Sequence, residues 1–313
     1  MPPSVVWSAP PAGASRFKPD EGTAVRLGAH MSIAGRIGLA LSRGAAVGCE
    51  TVQIFTQNNN RWVGKRLEPD AVREFQALRR ATHIDPVFAH NCYLVNLASA
   101  DAAIRRRSVD AMVQEVERCA ELELPFVILH PGAHGGDGES TGIRRIVQGL
   151  RTIIRLTAGS GVGLVLENTA GQGTSLGHRL EHLRDILAGV DRPERLGVCL
   201  DTSHLFAAGY DLRDAESYGT TMAAFERTVG FEFLRALHLN DSKRELGSRV
   251  DRHAHIGRGA LGVAAFRLLL NDPRLRALPG VIETEKTEDG DADRMNLDVL
   301  RRLRGRGARP RRG

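Results

Sequence analysis

The sequence predicts a single (β/α)8 barrel, and three observations carry that expectation. Eight short apolar runs recur along the chain, and most of them end on a polar or metal-binding residue. Between them lie longer stretches whose apolar residues return near every 3.6 positions, the period of an amphipathic helix. The runs are apolar almost throughout, which marks strands buried on both faces, as in a parallel sheet. Eight such strands alternating with helices close into a barrel.

Taken in order, the first run, VRLGAH, ends at His30 and is followed by a helical pattern over 33–47. TVQIFTQN runs to Asn58 and PVFAH to His90, after which helical periodicity returns over 103–122. FVILH ends at His130, ahead of a helical stretch over 142–156. VGLVLEN then carries Glu167, LGVCLD ends at Asp201, LRALHLN carries His238 and PGVIETE carries Glu283. A GxGxxG match (Gly257, Gly259, Gly262) lies in a polar loop after DRHAHI. It does not join a strand to a helix, so an open dinucleotide-binding sheet is disfavoured.

Composition narrows the class. With 313 residues, 42% of them hydrophobic, the chain can build a sizeable core. No stretch approaches the roughly 18 apolar residues of a membrane span. The N-terminus lacks the basic start and apolar core of a signal peptide, so a cytoplasmic protein is expected. Cys49, Cys92, Cys119 and Cys199 form no CxxC pair and read as reduced thiols. Residues 1–23, rich in Pro, Ala, Gly and Ser, read as a flexible arm, and 24–303 as the barrel domain. Five arginines fall in residues 304–313, which read as a disordered basic tail. They supply most of the net charge of +6, so the barrel itself is nearly neutral. Such a tail would be a salt-sensitive tether to a polyanion.

The C-terminal ends of barrel strands converge on one face, where catalytic groups sit. His90, His130, Glu167, Asp201 and Glu283 finish five of the runs, and His238 lies just past the centre of another. Carboxylates so gathered would repel one another unless cations lay between them. Imidazoles mixed with carboxylates are the ligand set of zinc or manganese, with zinc favoured by the imidazole share. Asp201 and His204, three residues apart in DTSH, and Asp251 and His253, alternating in DRH, extend the set. His134 is set aside, because Pro131-Gly132 prevents the helix that a paired-histidine motif needs.

The stretches LGAHMS, HNCYLVNLA, LHPGAH, LENTAGQG, CLDTSHLFAAGYD, HLNDSK, GSRVDRH and IET, in that order from about residue 25 to 303, resemble endonuclease IV. This is the zinc-dependent abasic-site endonuclease family of DNA base-excision repair. The resemblance implies a TIM barrel with three zinc ions, and manganese as a replacement. His90 and His130 would hold the first ion, with Glu167 bridging to the second. Asp201, His238 and Glu283 would complete the second, and His204, Asp251 and His253 would hold the third. Glu167, Asp201 and Glu283 would be catalytic, the first two positioning a hydroxide for in-line attack on phosphorus. The implied reaction is incision of double-stranded DNA 5′ to an abasic site, leaving a 3′-hydroxyl, with trimming of blocked 3′ ends; a monomer is the default expectation.

Tyr93 and Leu94 match family positions that enter the minor groove, where wedges fill the space of a missing base. TQNNNRW departs from the family pattern: Asn60 stands where a long side chain is common, and Arg61 follows it. Either Arg61 substitutes or lesion grip is weaker. Lys243 and Arg249 are candidate phosphate contacts. The alternative is a metal-dependent sugar isomerase or epimerase of the xylose-isomerase-like barrels. Glu167, Asp201, His238 and Glu283 alone would suit that reading. It leaves His90, His130 and the Asp251/His253 pair without work.

Overall fold

Eight of the apolar runs form parallel strands, and a computed structural model, describing residues 24–305, places them in one closed barrel. The barrel strands are β1 (Arg26–Met31), β2 (Thr51–Ile54), β3 (Val87–His90), β4 (Phe126–Leu129), β5 (Gly163–Glu167), β6 (Leu196–Asp201), β7 (Leu234–His238) and β10 (Pro279–Ile282). They follow one another around the wall in chain order, and β10 closes against β1 with Arg26 opposite Pro279. Between β7 and β10 the chain makes a small antiparallel excursion, β8 (Asp241–Ser242) and β9 (His253–Ala254). The connecting helices are α1 (Leu39–Ala46), α2 (Pro69–Thr82), α3 (Ala102–Glu121), α4 (Glu139–Leu156), α5 (Leu180–Ala188), α6 (Thr202–Ala207), α7 (Ala215–Thr228), α8 (Gly262–Leu270) and α9 (Asp291–Leu303).

The interior of the barrel is filled by Phe88, Phe126, Ile128, Val165, Cys199, Ala236 and Val281. Phe88 and Phe126 stack with ring centres 4.8 Å apart. Leu, Ile and Val on the outer faces of the strands pack against the helices in a second, larger core. Each fully buried side chain of this size contributes about 1.5–3 kcal/mol. Gly28 answers a local demand: a Cβ there would lie 1.7 Å from the Thr51 carbonyl oxygen of β2.

Three boundaries differ from the sequence reading. The second strand stops at Ile54, not Asn58, because Thr56 is drawn out of the sheet. Its hydroxyl donates to Glu115 at 2.7 Å and accepts from Arg118 Nε at 2.7 Å. The first helix begins at Leu39, not residue 33, because Gly35 turns the chain at φ +88°. Arg304 and Gly305, read as part of the tail, are tied to the barrel instead. Arg304 holds Glu50 through two nitrogens at 2.7 and 2.9 Å, and the Gly305 N–H donates to Asn271 Oδ1 at 2.7 Å. The arm (1–23) and the rest of the tail (306–313) lie outside the described residues.

The glycine-rich segment after DRHAHI does cradle an anion, but an internal one. The N–H groups of Gly257, Gly259, Leu261 and Gly262 all donate to the Asp241 carboxylate. Gly259 approaches so closely that a Cβ would meet the Ser242 carbonyl at 2.3 Å. This ties the β8–β9 excursion down beside the barrel mouth. All four cysteines are buried and unpaired. Among the described residues no helix is long and apolar enough to cross a membrane.

Candidate metal centre

The strand ends deliver their polar residues to one mouth of the barrel. His90, Glu167, Asp201 and His238 are the last residues of β3, β5, β6 and β7, and His130 and Glu283 follow β4 and β10 directly. Glu167 sits among them, fully buried. Its Oε2 lies 3.1 Å from His90 Nε2 and 3.1 Å from His130 Nε2. Its Oε1 lies 3.0 Å from His238 Nδ1 and 3.1 Å from His204 Nδ1. One carboxylate thus serves two donor groups: His90, His130 and Glu167, and Glu167, Asp201, His238 and Glu283.

A third group comes from outside the strands. Asp201 caps α6 by accepting the His204 N–H at 2.8 Å, which presents the His204 ring beside the strand ends. His253 arrives on β9, and Asp201, His204 and His253 have donor atoms within 4.8 Å of one another. Asp251 adjoins them, its oxygens 3.2 Å from His204 Nε2 and 3.3 Å from His253 Nε2. All nine sequence-expected ligands therefore meet at one mouth.

The second ring nitrogens show that the histidines fit a metal. His90, His204 and His253 each set Nδ1 against a backbone carbonyl: Asn91 at 2.8 Å, Asn168 at 2.9 Å and Glu283 at 3.2 Å. A proton held there leaves Nε2 with its lone pair, the arrangement metal-bound histidines adopt. His204 Nε2 and His253 Nε2 are buried with no hydrogen-bond partner among the described residues, and both lie beside the Asp251 carboxylate. The asparagines after these strand ends lock the frame. Asn168 accepts the Asp201 N–H at 2.7 Å, and Asn240 binds Asp201 Oδ2 at 2.6 Å and the Glu283 N–H at 2.7 Å.

The electrostatics agree. Burial alone would raise the Glu167 and Glu283 carboxyls, but the surrounding histidines, His238 foremost, hold both well below the usual range. Burial opposes charge on His204 and His238, yet the nearby acidic groups raise both well above the ordinary imidazole value. Asp251, despite burial, is drawn down to about 2 by His204 and His253. Without cations the cluster holds protons, so metal and protons compete for these sites.

The DNA-contact candidates divide. Tyr93 is 66% exposed beside the metal group, its ring 5.5 Å from Phe55, which also packs on His30 and His90. Burial and the carboxylates of Glu283, Glu167 and Asp251 push its hydroxyl up to about 12. A cleft of about 190 Å³ opens between His90, Tyr93, Asn96, His130 and Thr169. Leu94, by contrast, packs against the hydrophobic core, which argues for anchoring the loop. Asn60 and Arg61 are both exposed, on a turn where Asn58 accepts both backbone N–H groups. Lys243 reaches Glu285 at 3.7 Å, and Arg249 is exposed with φ +55°. His134 closes a turn by accepting from Gly136 and Gly138, consistent with its exclusion as a ligand.

The family model matching residues 41–303 is described as a xylose isomerase-like TIM barrel. A protein named probable endonuclease 4 from Chloroflexus aurantiacus is 48% identical over 278 residues, 89% of this chain and 98% of that protein. The chain belongs to the endonuclease IV family. The crystal structure of endonuclease IV from Thermus thermophilus aligns with TM-score 0.79 and 36% identity over 89% of this chain and 98% of that one. A D-allulose 3-epimerase from a Methylomonas species aligns with TM-score 0.66 at 14% identity, over 90% of this chain and 98% of that one, which shows a common barrel and nothing more.

Within this endonuclease IV fold, sequence reasoning missed the residues behind the ligands. Gln53 is fully buried, and the only sequence signal was a polar amide interrupting the apolar run TVQIF. A further His/Glu group, Glu139, His178 and His182, was also unforeseen. There His182 Nδ1 accepts the Gly177 N–H at 3.2 Å, so the ring proton sits on Nε2, 3.1 Å from Glu139. That nitrogen has no lone pair to offer a metal, and the group braces the loop before α5 instead.

Proposed function

We propose that this chain hydrolyses the phosphodiester 5′ to abasic sites in double-stranded DNA, leaving a 3′-hydroxyl, and trims blocked 3′ ends with the same site. The observation that carries the reading is the convergence of nine imidazole and carboxylate side chains, with the second ring nitrogens of His90, His204 and His253 held by backbone carbonyls. His90, His130 and Glu167 would hold one zinc ion, Glu167, Asp201, His238 and Glu283 a second, and His204, Asp251 and His253 a third, with manganese as a substitute. Bound zinc would supply a water acidified toward neutrality and positive charge for the phosphate oxygens.

The chain's own part is positioning. Glu167 and Asp201 flank the mouth, and their carboxylates orient the attacking water for in-line approach to phosphorus. Asp201 is held still by Asn240 and by its role as helix cap, and Glu283 by Asn240 and Gln53. An abasic nucleotide costs least to flip because no base pair is broken. Tyr93, exposed beside the metal group, would enter the vacated space, with Arg61 reaching where Asn60 falls short. The enzyme acts in this reading as a cytoplasmic monomer. A sugar epimerase would use the second ligand group but leaves the third, including His204 and His253, without a task.

The test is metal analysis of the purified protein beside cleavage of a duplex carrying one abasic analogue. About three metals per chain and chelator-sensitive incision on the 5′ side are expected. Two metals, no incision and turnover of a ketose would refute the reading.

A further inference from the structure

The histidines of the metal mouth are not all oriented in the same way. His90 and His253 rest Nδ1 on backbone carbonyls and turn Nε2 toward carboxylates; His204 does the same toward Asp251, while its Nδ1 also lies 3.1 Å from Glu167 Oε1. His238 is reversed: Nδ1 faces Glu167 Oε1 at 3.0 Å and Glu283 Oε2 at 3.2 Å. Its Nε2 meets a side chain, Gln53 Oε1, at 2.8 Å. Gln53 is fully buried on β2, and its amide nitrogen lies 2.6 Å from Glu283 Oε1 and 2.8 Å from His30 Nδ1.

Chemistry fixes which way this amide points. An ionised carboxylate only accepts, so the NH2 must face Glu283 and the oxygen must face His238. The oxygen can only accept, so the His238 proton sits on Nε2. Nδ1, between the Glu167 and Glu283 oxygens, is then the nitrogen from which a metal would displace a proton. The second amide hydrogen goes to His30 Nδ1, so every hydrogen of the amide is used.

We propose that Gln53 is a positioning residue of the second metal group, selecting Nδ1 as the coordinating nitrogen of His238 and fixing the Glu283 carboxylate. The proposal rests on reading the barrel mouth as a metal centre. A backbone carbonyl can orient a histidine, but it cannot also donate to a neighbouring ligand. Gln53 does both, and so links two ligands on adjacent strands, β7 and the end of β10, from a third strand.

Two measurements test it on the zinc-loaded full chain. Nitrogen-15 NMR of labelled histidine is expected to show wild-type His238 metal-bound at Nδ1, with a slowly exchanging Nε2–H. Chelator competition on Gln53→Met, which keeps the volume but loses the amide, is expected to show one zinc weakened 10–100-fold and the other two unchanged. In that variant the Nε2–H should exchange rapidly. Gln53→Glu should keep the protected Nε2–H but weaken the same zinc, because its carboxylate repels Glu283. A residue that merely filled space would leave Gln53→Met with wild-type zinc affinity and wild-type His238 signals. That result, or Nε2 coordination in the wild type, overturns the proposal, and the wild-type spectrum decides even if a variant fails to fold. Wild-type protein that binds no zinc would overturn the metal-centre reading itself. Three tight zincs with an unaffected Gln53→Met would overturn only the role of Gln53.

Discussion

Replacing Asp241 by Asn tests how the third ligand group is held. Asp241 Oδ1 accepts from Ser242 N at 2.8 Å and Leu261 N at 3.0 Å, and Oδ2 from Gly257 N at 2.9 Å and Gly259 N at 3.1 Å. Gly262 N is shared between them, 3.3 Å from each. An amide must put NH2 where one oxygen was, so two of the four short bonds are lost whichever way it turns. Hydrogen bonds to charged groups contribute about 1.5–3 kcal/mol each, giving a loss of about 3–6 kcal/mol. Most substitutions cost about 0.5–3 kcal/mol, so this lies in the exceptional tail. The cost should appear as local opening, because these bonds lie wholly within the 241–262 segment. Hydrogen exchange at Gly257, Gly259, Leu261 and Gly262 should accelerate by about 100-fold or more, since each 1.4 kcal/mol is a factor of about ten. Metal analysis should show the ion at His204, Asp251 and His253 lost first. Exchange rates within about threefold of wild type, with a full metal complement, would refute the reasoning.

Three further outcomes are expected. Glu283→Gln sets an amide against the donors of Gln53 and Asn240, and should cost about 100-fold in incision or in one metal's affinity while the barrel stays folded; wild-type rates in that variant would contradict the ligand assignment. Arg304→Ala removes a two-nitrogen grip on Glu50, whose side chain is 40% exposed, so screening limits the cost to about 1 kcal/mol in denaturant melts at neutral pH. Burial would raise the Glu50 carboxyl, but Arg304 lowers it overall, so this contribution is present above 4.5 and fades as pH falls through the lower folded value; a gap between variant and wild type that widened on acidification would be the wrong sign. Tyr93→Ala should leave the melting temperature nearly unchanged yet weaken binding to an abasic duplex about tenfold in fluorescence anisotropy, and unchanged affinity would remove Tyr93 from the DNA contact.

How much of this was legible in the sequence follows from the range of the forces involved. A strand buried on both faces writes itself locally, so TVQI, FVIL and LGVCLD could be read as strands without knowing their neighbours. The residues that gather at the barrel mouth were legible because most of them close those runs, as Asp201 closes LGVCLD. Gln53 was not, because its meaning lies in His238, 185 residues away. Thr56 likewise ends its strand early for the sake of Glu115, 59 residues further on. Asp241 and the glycines of 257–262 each look like loop residues, and only the fold shows that one fills the nest made by the others.

The same distinction separates the two parts of the site. The barrel is held in common with a D-allulose 3-epimerase of low identity, so the architecture by itself does not choose the reaction. Glu167, Asp201, His238 and Glu283 lie on or directly after barrel strands, and any closed barrel with those residues would gather them. His204 instead depends on the cap of a six-residue helix, and Asp251 and His253 on an excursion held by a buried aspartate. These supports are additions to the barrel, held by a glycine-rich segment that joins β9 to α8 and closes on Asp241 of β8. A two-metal sugar site would have no use for them. A phosphodiester carries charge that a third cation could offset, and in the proposed reading the elements outside the barrel strands would supply its ligands. In the proposed three-metal reading, preference for a phosphate substrate would reside in the β8–β9 segment and α6, which is where loss of Asp241 should be felt.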